Sequence, residues 1–141
     1  MYLCDILACM SPEKVNHPPH YQQHPRGIEA IAVLEYLASF NLGNAIKYLF
    51  RETYKGVADE DRKKAAWYVL REIELLRRRD ATPHSPIDGN TKAHSLVRRV
   101  LDAEPVGTSL FWLLLAALAS RTINYEFFLN RAYRELTGAK V

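Results

Sequence analysis

Cysteine is almost missing: Cys4 and Cys9 are the only two, both near the N-terminus. They supply neither a disulfide framework nor a zinc-ligand spacing, so a reducing cytoplasm is the expected compartment. No apolar run reaches bilayer length, and the most apolar stretch, "SLFWLLLAALAS" from Ser109 to Ser120, fits a buried helix. The opening "MYLCDILACM" is short, carries Asp5 and lacks a basic n-region, so it is not expected to serve as a signal peptide, and Met10 offers a second start. Strand-period alternation is lacking throughout, as is any internal repeat, which argues against a β fold or a solenoid. No serine lies in a G-x-S-x-G elbow, and neither cysteine has a histidine that sequence would single out, so nucleophilic catalysis has little support. Excess charge is slight as well: 19 Lys and Arg against 16 Asp and Glu leave +3, too little to imply a nucleic-acid partner.

What is present suits one compact helical unit. The chain has 141 residues, 48% of them hydrophobic and 25% charged, enough to bury a core. Apolar residues at Ile28, Ile31, Ala32, Leu34 and Leu37 predict a first helix over 28–40, broken by Asn41 and Gly43. In "NAIKYLFRETY" the residues Ala45, Ile46, Leu49 and Phe50 share one side, and Asn44, Lys47, Tyr48 and Arg51 fall at i, i+3, i+4 and i+7 on the other. After a turn at Lys55 and Gly56, Asp59 suits an N-cap, and a helix is expected over about 60–79, ending in "RRR". "DATPHSPIDGN" (80–90) reads as a linker, and further helices are predicted near 91–103, 107–120 and 124–137. The expected class is all-α: a helical domain over 15–79 that includes an extended His/Pro segment, the linker, and a C-terminal helical region over 91–138. That last region packs either on the first part or on a second subunit. Because "SLFWLLLAALA" is apolar almost all round, a homo-oligomer, with a dimer favoured, is the expectation.

Charge is concentrated where chemistry is most legible. Between Leu42 and Arg79 ten basic residues face six acidic ones, a local excess of +4. Upstream, "VNHPPHYQQHPRGIEAI" (15–31) crowds histidine, proline and tyrosine into a short polar approach. Its prolines fix φ and remove backbone donors, so His17, His20 and Tyr21 are displayed from a stiff chain at little entropic cost to a bound partner. The stripe Asn44, Lys47, Tyr48 and Arg51, with Lys55, Lys63, Lys64 and the aromatic Trp67, adds cations for phosphate oxygens and a ring for stacking a base. If the His/Pro segment folds over these helices, the elements form one anion-binding cleft. Duller readings stand beside this one. The histidines can fill a crevice between helices, the stripe can be a solvated helix face, and Trp67 or Tyr68 can be core. Neighbours on a helix diverge by about 100°, so at most one of those two faces the cleft. Asn44, a poor mid-helix residue, is what raises the stripe above a bland surface. No third ligand accompanies His17 and His20, so no metal site is expected.

The elements "VNHPPHY", "GIEAI", "GNAIKYLFR", "KG" and "EDRKKAAWYVLREIE", in that order, resemble the SaV-like family of small bacteriophage proteins over roughly residues 15–74. The resemblance implies a phage protein of a family described mainly as of unknown function, some members being labelled nucleotide kinases. This sequence has no Gly-x-x-x-x-Gly-Lys-Ser/Thr phosphate loop to support that label. Acid pairs exist at Glu29 and Glu35 and at Glu72 and Glu74, yet the E-x-x-E plus E-x-x-D pattern of all-α nucleotide pyrophosphohydrolases is missing.

Three functions follow as expectations. The first is a phage-encoded accessory protein that binds a nucleotide-like or phosphorylated small molecule and modulates host metabolism or antiphage defence from the host cytoplasm. The second is an interaction module that grips a host or defence protein. The third is a nucleotide-processing enzyme, a kinase or pyrophosphohydrolase. No catalytic residue is assigned, the cofactor is left open, and neither nucleic acid nor membrane is an expected partner.

Overall fold

The computed structural model describes residues 28–37, 39–51, 58–78, 91–119 and 123–139, which form six helices and no strand. These are α1 (Ala30–Leu34), α2 (Phe40–Arg51), α3 (Ala58–Arg77), α4 (Thr91–Ala103), α5 (Ser109–Leu118) and α6 (Ile123–Thr137). The chain is all-α over these residues. The His/Pro segment and the expected linker at 80–90 lie outside them.

The first helix is shorter than its apolar spacing predicts. It stops at Leu34, and Tyr36 and Leu37 turn tightly by donating to the carbonyls of Val33 and Leu34 at 3.2 and 3.1 Å. Ser39 then caps a new helix: its Oγ accepts from the Leu42 N–H at 3.1 Å and its carbonyl from the Gly43 N–H at 3.0 Å. Asn41 and Gly43, expected as breakers, therefore lie inside the first turn of α2. A serine cap outcompetes continuation of the helix.

Each longer helix buries one stripe. On α2 the buried set Leu42, Ala45, Ile46, Leu49 and Phe50 follows helical spacing. On α3 it is Asp61, Ala65, Ala66, Val69, Glu72 and Ile73, so a carboxylate sits at each end of the stripe. Asp59, Glu60 and Asp61 all fall in the first turn of α3, where the helix dipole favours anions. Gly107 adopts φ +91° ahead of α5, a conformation costly for any residue with a Cβ. Next to it Thr108 Oγ1 accepts from the Phe111 N–H at 3.1 Å and donates to Glu104 at 2.8 Å, fixing where α5 begins.

One hydrophobic cluster takes residues from all six helices. The pair α2–α3 packs face to face, α6 lies across α3 and α5, and α5 also contacts α2 and α4. Leu113, Leu114, Ala116 and Ala117 of α5 are fully buried in this arrangement. Burying each leucine contributes about 1.5–3 kcal/mol. The C-terminal helices thus pack on the N-terminal ones, and α5 is covered by this chain's own α2, α4 and α6.

Candidate functional site

The site is built where α2 and α3 lie side by side. Because α2 starts at Phe40, the residues Phe40, Asn44, Lys47, Tyr48 and Arg51 share its outer stripe. Asn44 bridges one turn to the next: its Nδ2 donates to the Phe40 carbonyl at 2.9 Å and its Oδ1 accepts from Lys47 Nζ at 3.0 Å. This back-bond explains an asparagine within the helix.

Tyr48 is the centre of the cluster. Lys47 Nζ lies 4.8 Å from its ring centroid, the Arg51 guanidinium carbon 5.4 Å and Lys64 Nζ 5.5 Å. Its ring also stacks on Tyr68 of α3, with centroids 6.0 Å apart and planes at 18°. Phe40 meets Tyr68 edge-on at 6.0 Å and is 73% exposed. Beside them Leu34, Leu37, Phe40, Asn44 and Lys47 line a groove of about 250 Å³.

The three cations are not equivalent. Arg51 Nε pairs with Asp61 Oδ2 at 3.3 Å, and the Asp61 side chain is 1% exposed. Arg51 is thereby tied to the fold. Lys64 Nζ pairs with Glu60 Oε1 at 2.7 Å on the surface. Their hydrogen bond and mutual attraction hold the Glu60 carboxyl below its ordinary range and the Lys64 ammonium above its own. Lys47 meets the Asn44 amide and the Tyr48 ring, and among the described residues it makes no ion pair.

Lys63 and Trp67 do not join this cluster. Lys63 points away from Lys64, as adjacent helical positions must. It lines a separate groove between α3 and α6 together with Trp67, Leu70, Tyr133 and Leu136. Trp67 is 57% exposed and touches Tyr68 edge-on at 5.0 Å. Tyr68 is thus the residue that stacks on Tyr48. Its partner Phe40 was missed in the sequence because it was read as the end of the first helix; the Ser39 cap was the signal that would have moved it. His17, His20, Tyr21 and Lys55 lie outside the described residues.

The acid pairs have structural surroundings. Glu72 is buried and accepts from Tyr125 Oη at 3.0 Å and Asn41 Nδ2 at 3.1 Å, while Glu74 pairs with Arg71 at 3.5 Å. Burial, then the charge of Glu72, push the Tyr125 phenol far above its ordinary pKa, so it remains a donor. Among the described residues no group of three or more His, Cys, Asp or Glu is placed to hold a metal ion. No helix among them is long and apolar enough to cross a membrane.

Residues 15–70 match the model of a family described as a protein of unknown function (DUF3310). The matched stretch takes in α1, α2 and α3 as far as Leu70, which are the elements that build the Tyr48 cluster. No curated protein and no solved structure matches the chain.

Proposed function

We propose that the chain binds a nucleotide-like or otherwise phosphorylated small ligand on the α2–α3 edge. The observation that carries this reading is the convergence of Lys47, Arg51 and Lys64 on the Tyr48 ring, backed by Tyr68. Tyr48 is covered by cations and by Tyr68, so the exposed Phe40 ring is the better stacking surface for a base. A phosphate then reaches Lys47 first, because among the described residues that cation has no carboxylate to displace, and Lys64 second. The resemblance to phage proteins suggests the setting: an accessory protein acting on host metabolism or antiphage defence in the host cytoplasm.

The test is calorimetric titration with nucleoside mono-, di- and triphosphates and inorganic phosphate. Lys47→Glu and Phe40→Ala are each expected to weaken binding at least about tenfold with an unchanged helical spectrum. Absence of heat across the panel at millimolar ligand rules the reading out. Arg51→Ala is a poor probe, since its effect on Asp61 would mimic loss of a ligand contact.

A second reading, an interaction module for a host or defence protein, draws on the exposed Phe40, Trp67, Val106 and Phe127. Partner capture that survives Lys47→Glu but is lost on Phe127→Ala would favour it. An enzymatic role has no comparable support.

A further inference from the structure

The groove between α3 and α6 is not part of the Tyr48 cluster, and its lining is distinctive. It encloses about 390 Å³, within the range of small-molecule sites. Ala66, Leu70 and Leu136 provide apolar surface, and Trp67 and Tyr133 provide two aromatic rings. Arg62, Lys63 and Asp59 also line it. Arg62 Nη2 donates to the Glu135 carbonyl at 3.3 Å, tying α3 to the C-terminal turn of α6. Lys63 is exposed and, among the described residues, makes no ion pair, although Asp59 lies one turn before it. Trp67, with its indole more than half exposed, carries Arg71 at 5.8 Å over its ring.

We propose that this groove is a second binding site, for a small planar aromatic anion. The rings and leucines favour a flat apolar body, because aromatic faces gain from offset or edge-on contact as well as from the area they remove from water. The exposed Lys63 ammonium favours an acid group at one end of that body. Asp59 sets the limit of the anionic subsite and disfavours a ligand charged at both ends. A bare phosphate, which lacks the apolar body, belongs to the Tyr48 face and not here.

The chain has two tryptophans, Trp67 and Trp112, so two indole N–H resonances report on the molecule. The probe is anilinonaphthalene sulfonate, followed by proton–nitrogen correlation spectra, with Trp67→Phe assigning the peaks. The expected result is a saturable one-to-one shift of the Trp67 resonance with Trp112 unmoved, weakened about tenfold by Lys63→Glu and unchanged by Lys47→Glu. Lys63 is at the surface, so the charge reversal leaves the fold intact, and dispersion of the spectrum checks this. No shift at Trp67 up to millimolar probe overturns the proposal. So does equal affinity in Lys63→Glu, or an equal loss in Lys47→Glu. Inorganic phosphate leaves the Trp67 resonance in place, and the opposite responses to Lys63→Glu and Lys47→Glu let this site and the Tyr48 face succeed or fail separately.

Discussion

Replacing Arg51 by alanine leaves the Asp61 carboxylate in the core without its cation. Asp61 is fully buried, one of its oxygens has no hydrogen-bond partner among the described residues, and the other is the one paired with Arg51 at 3.3 Å. Breaking a buried pair from one side costs about 3–5 kcal/mol, because the remaining charge loses its compensation while staying out of water. A domain of this size has a total stability of about 5–15 kcal/mol. The variant therefore loses a large share of it and melts about 10–15 °C lower. Urea and thermal unfolding followed by far-ultraviolet circular dichroism measure both. Arg51→Met combined with Asp61→Leu removes the charges together and is expected to recover most of the loss, since apolar replacements of buried pairs are often neutral or better. If Arg51→Ala stays within about 1 kcal/mol of the parent, or the double variant is no more stable than the single one, then the pair is not what holds α2 to the start of α3.

Other outcomes follow from the same geometry. Tyr125→Phe takes one of two donors from buried Glu72 and costs about 1–3 kcal/mol in urea unfolding, whereas a change below about 0.5 kcal/mol means water replaces the phenol. Thr108→Ala removes the cap of α5 and the donor to Glu104, lowering stability by about 1 kcal/mol. Glu60 titrates below its ordinary value of 4.5 because Lys64 stabilises the charged form. The pair's contribution is thus present above that value and fades as pH falls through the depressed one. Carboxyl chemical shifts in Lys64→Ala should move the Glu60 midpoint back up, and an unmoved midpoint contradicts the pairing.

The buried stripes were legible because burial imposes a period. Leu42 to Phe50 on α2 and the apolar run of α5 were readable from spacing and composition alone. The break after Leu34 was not, since Ile28, Ile31 and Leu37 suit a longer helix and only the local competition from Ser39 ends it. For α5 the sequence signals burial on all sides yet carries no label for what covers it, so α2, α4 and α6 of the same chain could not be told from a second copy. Pairing across helices is equally silent. Arg51 belongs to the polar stripe by period, and nothing local reveals that a buried Asp61 ten residues later claims it. Lys63 and Lys64 are neighbours in sequence and serve different grooves in space.

These pairings also rank the cations for any anion that arrives, which leads to a test that electrostatics alone does not prejudge. Arg51 cannot leave Asp61 without exposing a buried charge, so it frames the Tyr48 ring and keeps its own place. Lys47 has no such tie: among the described residues its ammonium meets the Asn44 amide and the Tyr48 ring and no carboxylate. Lys64 lies between the two: it must release Glu60 to reach a phosphate, and that carboxylate competes with the ligand at 2.7 Å. Glu60→Gln removes the competitor while keeping the shape of the side chain and most of its hydrogen bonding. A ligand that uses Lys64 should then bind about two- to fivefold more tightly at neutral pH, the scale set by an exposed ion pair, and the gain should shrink as salt is added. In a Lys64→Ala background the same change should gain less. Unaltered affinity in Glu60→Gln would mean that Lys64 never engages the anion, leaving Lys47 as the cation that does.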